Sequence, residues 1–264
     1  MPFTGRSLIA GVLAVVVLPI LLSSPLRAGD GAKKPPAGAK ASKPVKAAAA
    51  EEDEIKEADQ SAPAAALLGK TFDSLPVVSE TGETVDIAKA TKGWKVVYFW
   101  SPYCPCVKAC QALSLFPLAR TYRQADGKEA SVSFYAIASN ASTMLKRKLA
   151  DGTDRVLLNV PGGLGQSPPY PILLDPGHKM ADLLKARNTP QTYVFDPSGK
   201  LVFVGNPDDS EEVRIKTGRS GEMTKNYLAE VLQDALSGRA IRRPRAPALG
   251  CDVDRSDVEP VAKG

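Results

Sequence analysis

Three of the four cysteines in this 264-residue chain fall within seven residues of each other. They are Cys104, Cys106 and Cys110, in the run W-S-P-Y-C-P-C-V-K-A-C from Trp100 to Cys110. The thiolate is the nucleophile in disulfide exchange and in peroxide reduction alike, so thiols gathered in this way point first to redox chemistry. Ahead of them KVVYFW (Lys95–Trp100) is a continuous β-branched and aromatic run, the pattern of a strand covered on both faces. Behind them Val107, Cys110 and Leu113 recur at helical spacing until Pro117 bends or ends the helix. Cys104 is therefore expected at the carboxyl end of a buried strand, where α/β sheets form their sites. It is expected at a helix N-terminus too, whose free N–H groups and partial positive charge favour thiolate over thiol. Lys108 adds a cation one turn along. Cys106 and Cys110 share a helix face, and a Cys104–Cys106 disulfide would close a very small, strained and reducible ring.

The fourth cysteine, Cys251, stands beyond a basic stretch (Arg239, Arg242, Arg243, Arg245) on a tail that nothing obvious holds in place. Reach does not exclude it, because an extended chain spans ~3.3–3.6 Å per residue and loop closure grows only logarithmically with length. Cys106 and Cys110 are nonetheless expected to resolve a mixed disulfide first, since their effective concentration does not depend on an ordered tail. His178 is the only histidine, which excludes a multi-histidine metal centre and leaves a Cys-His or Ser-His pair one candidate base. The formal charge of +5, from 34 basic and 29 acidic residues, is too weak and scattered for a nucleic-acid surface.

The elements that must position these thiols are legible along the chain. LGKTFDSLPVVSETGETVDIAKA reads as short extended pieces with a turn at Glu80-Thr81-Gly82. SVSFYAIAS (Ser131–Ser139) and PILLD (Pro171–Asp175) read as strands, and MLKRKLADG between them as a helix. A short helix KMADLLKA, a strand TYVFD, a turn PSGK and a strand LVFVG follow. MTKNYLAEVLQDALSG then aligns Tyr227, Leu228, Val231, Leu232 and Ala235 on one helical stripe, with Gly238 as its stop. NVPGGLGQSPPY (Asn159–Tyr170) lacks the strand and helix of a dinucleotide fingerprint and reads as a surface loop. Alternating β-α-β followed by a hairpin and a terminal helix implies an α/β layered domain with a mixed sheet.

Two segments precede that domain. Ser7 to Leu26 carries no charge, Arg6 precedes it and Ala28 offers a small residue for cleavage, which describes a secretory signal over residues 1–28. The alternative is an uncleaved anchor, since the run is just long enough to span a membrane. Either way the chain is expected to face an oxidising compartment, periplasmic or membrane-anchored facing the periplasm. No cysteine lies in this segment, so a lipid anchor is not expected. Residues 29–66 combine lysines, Ala, Gly and Pro with the acidic run EEDEIKEAD and read as a disordered linker with at most a fleeting helix. The folded domain is then expected over 67–238 and the basic tail with its distal cysteine over 239–264.

FWSPYCPCVKAC resembles the active-site strand and helix of the redoxin (alkyl hydroperoxide reductase/thiol-specific antioxidant) branch of the thioredoxin-like superfamily. NTPQTYVFDPSGKLVFVGNPDDS is similar to that branch's Thr-Pro, strand, turn, strand and Gly-x-x-Asp-Asp. NYLAEVLQDALSGRAI and APALGCDV are similar to its terminal helix and a following Gly-Cys segment. The resemblance implies a thioredoxin-like three-layer α/β fold, a central mixed sheet flanked by helices. It implies that Cys104 is the nucleophile and Cys251 the distal cysteine. It also implies that Pro190 follows a cis peptide facing Cys104, with flanking backbone open to an extended disulfide substrate. The chain departs from the family in two respects. Val107 stands where thioredoxins carry their second cysteine. Peroxiredoxins carry Pro-x-x-x-Thr-x-x-Cys, where this chain has Val97 and Ser101, and Pro190 occupies the place of their arginine with Arg187 out of register. Without that arginine a peroxide lacks a polarising donor.

The expected function is thus exported thiol-disulfide exchange, with Cys104 attacking, Cys106 or Cys110 resolving, and no cofactor or metal. Its partners are disulfide-bearing protein substrates and a redox partner, with no nucleic acid and a membrane tether only if the signal segment stays on. Two alternatives remain open, a thiol peroxidase and a copper-handling protein built on Cys106-x-x-x-Cys110. The second wants a histidine just before Tyr193, where Arg187, Asn188 and Thr189 stand.

Overall fold

The computed structural model describes residues 45–122, 131–160, 163 and 168–258. The expected signal segment and the first part of the expected linker lie outside the described residues, as does half of the loop over 159–170.

The acidic run expected to be linker forms α1 (Val45–Ala58), followed by the one-turn α2 (Ala62–Ala65). Ile55, Ser61 and Ala64 are buried, so this part is packed and not loose. β1 (Pro76–Val78) and β2 (Thr84–Asp86) form the expected hairpin, with Val77 opposite Val85. Asp86 then caps the short α3 (Ile87–Ala90) by accepting from Ala88 N–H. β3 (Trp94–Trp100) runs into α4 (Pro105–Cys110), a wider π turn over Gln111–Leu115, and α5 (Phe116–Tyr122). β4 is Val132–Ala138.

The segment expected as a helix after β4 is instead a hairpin, β5 (Met144–Lys148) with β6 (Asp154–Leu158), Lys146 opposite Val156. The cause is local. Gly152 adopts φ +83°, and Asp151 accepts from the N–H and hydroxyl of Thr153, so Asp-Gly turn chemistry prevails over helix propensity.

The chain continues through β7 (Ile172–Leu174), α6 (Lys179–Leu183), β8 (Asn188–Thr189), β9 (Thr192–Phe195) and β10 (Leu201–Gly205). α7 (Ser210–Thr217) was not expected, although its signals are present. Glu211 and Glu212 lie in its first turn, Arg214 and Lys216 in its last, and Gly218 follows at φ +69°. α8 (Tyr227–Leu236) is the expected terminal helix, and β11 (Cys251–Asp252) is the last strand among the described residues.

Seven strands form one mixed sheet in the order β10-β9-β3-β4-β7-β1-β2, with β3, β4 and β7 parallel. Side chains alternate along β3. Val96, Tyr98 and Trp100 enter a core with Val107, Leu228, Val231 and Leu232 from α4 and α8. Val97 and Phe99 enter the opposite core with Ala64, Ile87, Met180 and Ala181. The result is a helix–sheet–helix, thioredoxin-like arrangement with a strand covered on both faces at its centre.

Residues after α8 do not form the free tail expected from the sequence. Main-chain bonds lay this segment along β10: Val204 N–H donates to Pro244 O, Ala246 N–H to Val204 O and Asn206 N–H to Pro247 O. Ala246, Ala248, Leu249 and Val253 are buried. The small apolar side chains between the basic ones allow this fit, and two prolines limit the freedom lost on docking. Gly205, at φ +148°, lets the strap approach, since a Cβ there would collide with Ala246 O.

Candidate redox site

β3 delivers the chain to Ser101, and a tight turn brings Cys104 to the position just before α4, in extended conformation with Pro105 as the first helical residue. Cys104 is 2% exposed, Cys106 half-buried and Cys251 exposed. Their sulfurs all lie within 4.8 Å of one another. Two chain segments make this cluster, the β3–α4 junction and β11, with β8 between them. β11 pairs antiparallel with β8, Cys251 opposite Thr189 and Asp252 opposite Asn188. Gly250, at φ +150°, precedes it because a side chain there would strike Thr189 O.

Pro190 is preceded by a cis peptide, and Thr189 O faces Cys104 Sγ at 3.3 Å. In the thiol form Cys104 donates to that carbonyl. In the thiolate form the same sulfur accepts from several groups, the strongest being Cys106, with Cys251, Thr189 and the Val107 N–H behind it. These donors outweigh burial and bring Cys104 down to about 5. The proton stays on the neighbours. The bond to Cys104 pushes Cys106 far up, while burial and then the same sulfur push Cys251 up to about 12. These opposite directions favour the thiolate on Cys104 over its two neighbours.

Cys110 lies outside this cluster. It is completely buried, with its sulfur donating to Asp208 Oδ1 at 3.4 Å and 3.5 Å from Ser210 Oγ. Burial pushes its thiol well up. Together with Ser114, which also donates to Asp208, it pins α4 and the π turn to the start of α7. The Cys110 sulfur, expected on the same helix face as that of Cys106, is thus engaged by Asp208 and Ser210 and stands outside the group that Cys106 forms with Cys104 and Cys251. His178 does not join them either, lying 3.3 Å from Ser139 Oγ and 3.0 Å from Ser256 O.

A cleft of about 410 Å³ opens on the cluster, lined among others by Pro105, Cys106, Glu211, Arg214, Gly250 and Cys251. Glu211 and Arg214, which pair at 2.7 Å, escaped the sequence reading because α7 did. The acidic start, basic end and terminal glycine of that helix would have found them. The β8 backbone, expected to be open to an extended substrate, is instead occupied by the chain's own β11.

A family model described as AhpC/TSA matches residues 60–204. The chain belongs to the AhpC/TSA family. The AhpC/TSA match contains Cys104, Cys106, Cys110 and Pro190 and stops short of Cys251. Among solved structures, an uncharacterized conserved protein from Geobacillus kaustophilus is 26% identical, covering 71% of this chain and 91% of its own with a TM-score of 0.53. A hypothetical protein from Sinorhizobium meliloti 1021 shares the fold at 20% identity and a TM-score of 0.51, covering 72% of this chain and 94% of its own. No curated protein matches the chain. An AhpC/TSA domain on a thioredoxin-like sheet, with a thiol at the strand-to-helix junction, is an oxidoreductase of the redoxin kind. Among the described residues no helix is long and apolar enough to cross a membrane.

Proposed function

We propose that this protein is an exported thiol-disulfide oxidoreductase in which Cys104 attacks and Cys251 resolves. The observation that carries the reading is the cluster of Cys104, Cys106 and Cys251 within 4.8 Å. The Cys104 thiolate attacks one sulfur of a substrate disulfide R–S–S–R′, forming a Cys104–S–R mixed disulfide and expelling R′S⁻. Cys251, losing its proton to solvent, attacks Cys104 Sγ and expels RS⁻. The substrate leaves as two thiols with two electrons gained, and the protein keeps a Cys104–Cys251 disulfide until an external dithiol reduces it. Run in reverse, the same disulfide oxidises a substrate dithiol.

Preference for Cys106 or Cys110 as resolver rested on a loose tail, and β11 removes that premise by holding Cys251 beside Thr189. Cys106 sits in the first turn of α4, where a ring to Cys104 requires that turn to unwind. Since β11 occupies the β8 edge, a protein substrate presents an exposed disulfide loop to the cleft or displaces β11. Export rests on residues 1–28, and N-terminal sequencing of secreted protein should begin near Gly29.

Cys104→Ser is expected to abolish reduction of a protein disulfide such as that of insulin, and Cys251→Ser to stall the cycle at a trapped mixed disulfide. Cys110→Ser is expected to turn over normally. Full turnover by Cys104→Ser would end the assignment. A second reading, thiol peroxidase, draws on the same pair: Cys104 would reduce ROOH to ROH through a sulfenic acid, and Cys251 would condense with it to release water. Pro190 stands where peroxiredoxins carry the arginine that polarises the peroxide, which favours exchange. Peroxide consumption by the reduced protein at a rate exceeding insulin reduction would reverse that order.

A further inference from the structure

We infer that the reduced protein binds one Cu(I) ion between the sulfurs of Cys104, Cys106 and Cys251, a ligand set that differs from the Cys106-x-x-x-Cys110 pair considered from the sequence.

Geometry supports it first. With metal–thiolate bonds of ~2.3 Å, three sulfurs around one ion form a triangle with edges of about 4 Å. The sulfurs here already lie within 4.8 Å of one another, so closing on an ion needs movements below about 1 Å. The ligands are held in place beforehand. Pro105 fixes the backbone between Cys104 and Cys106, and the pairing of Cys251 with Thr189 fixes the third.

Ligand chemistry then selects the metal. Three thiolates with no imidazole suit a soft ion, and Cu(I), zinc and iron–sulfur clusters are the usual occupants. Structural zinc and iron–sulfur sites take four protein ligands for each metal, and a zinc ion held by three keeps a water in its fourth position, whereas Cu(I) is completed by three sulfurs alone. Glu211, which lines the same cleft, is engaged by Arg214 through both Nε and a terminal nitrogen, and Cys110 is turned to Asp208. A three-coordinate ion is what the donor set completes. Arg214 lies close enough to interact with Cys106 and offsets part of the negative charge the site would carry. The cleft reaches Cys106 and Cys251 from solvent, which gives the ion its route inward.

The test does not depend on disulfide exchange, because it uses the fully reduced full-length chain under anaerobic conditions. Cu(I) is titrated against the chromophoric chelator bicinchoninate, and the loaded protein is studied by X-ray absorption. One Cu(I) per chain with three sulfur neighbours is expected. Cys104→Ser, Cys106→Ser and Cys251→Ser should each weaken binding by about a hundredfold or more, comparable to or beyond the loss of a supporting contact. Cys110→Ser should bind as the parent does. Circular dichroism shows that each variant is folded, with the alanine variants standing in for any that is not. Failure to compete with the chelator would overturn the inference. So would two-sulfur coordination, undiminished affinity in Cys251→Ser, or a loss in Cys110→Ser as large as in the other three.

Discussion

At the scale of single residues, the cysteines divide by what donates to them. Cys104 accepts from Cys106 first, then from Cys251, Thr189 and the Val107 main chain, and so keeps its thiolate down to about 5. The thiolate ultraviolet absorbance should therefore titrate near pH 5. The first step, formation of the Cys104 mixed disulfide, should be level above that point and fall as pH drops through it, because the folded protein's depressed thiol then gains its proton. Cys106→Ala should move the midpoint upward, and an unchanged midpoint would show that sulfur donation is not the cause. The place of Cys104 was legible because an apolar strand, a turn and a helix are local patterns. Its two strongest donors were not equally so. Cys106 is visible two residues on, but its bond to Cys104 depends on the first-turn geometry of α4. Cys251 becomes a neighbour only through a main-chain pairing with Thr189 that no periodicity announces.

At the scale of elements, β11 connects the fold to the chemistry. Its approach to β8 depends on Gly250, whose φ of +150° and lack of a side chain admit Thr189 O. Gly250→Ala should push β11 away and cost on the order of 1–3 kcal/mol. The lost stability is read from urea unfolding, and the closure of the Cys104–Cys251 bond should slow in the same variant. Normal closure in that variant would mean that β11 does not deliver Cys251. The strands with continuous apolar runs, β3, β4, β7, β9 and β10, were read correctly because burial on both faces leaves a mark on composition. The β5–β6 hairpin was misread because Lys and Arg in Met144–Lys148 are as compatible with an exposed helix as with an exposed strand. The Asp151-Gly152 turn was the feature that decided it.

Across the whole molecule, the two ends of the described chain are fastened together. Asp59 accepts from the N–H groups of Ser61 and Ala248 and pairs with Arg245 at 2.7 Å, and Gln60 N–H donates to Ala248 O. Further along, Arg242 and Arg239 both reach the almost fully covered Asp234. The bond from Arg242 leads in holding Asp234 down to about 2. Asp59 is lowered too: burial opposes its charge, but the hydrogen bonds and Arg245 outweigh it. Both carboxylates have folded values below the unfolded 3.8, so their support is present above that pH and is lost as pH falls below it, for Asp234 down to about 2. Hydrogen exchange should show the Ala246 N–H, bonded to Val204 O, losing protection over that window while β3 stays protected. Asp234→Asn should show the same loosening at neutral pH. Strap protection that is independent of pH would contradict this. The linker and tail were read as disordered because each alone has too few large apolar residues to fold. Their order comes from contacts with one another and with β10, which a reading of separate segments does not reveal.

The most direct measurement is a disulfide map of the protein after oxidation by a small disulfide, made by alkylation, proteolysis and mass spectrometry. A dominant Cys104–Cys251 bond, with Cys106 and Cys110 recovered as free thiols, is the expected result. A dominant Cys104–Cys106 bond with Cys251 alkylated would contradict the account, since the strand pairing that brings Cys251 to the nucleophile would then play no part in the chemistry.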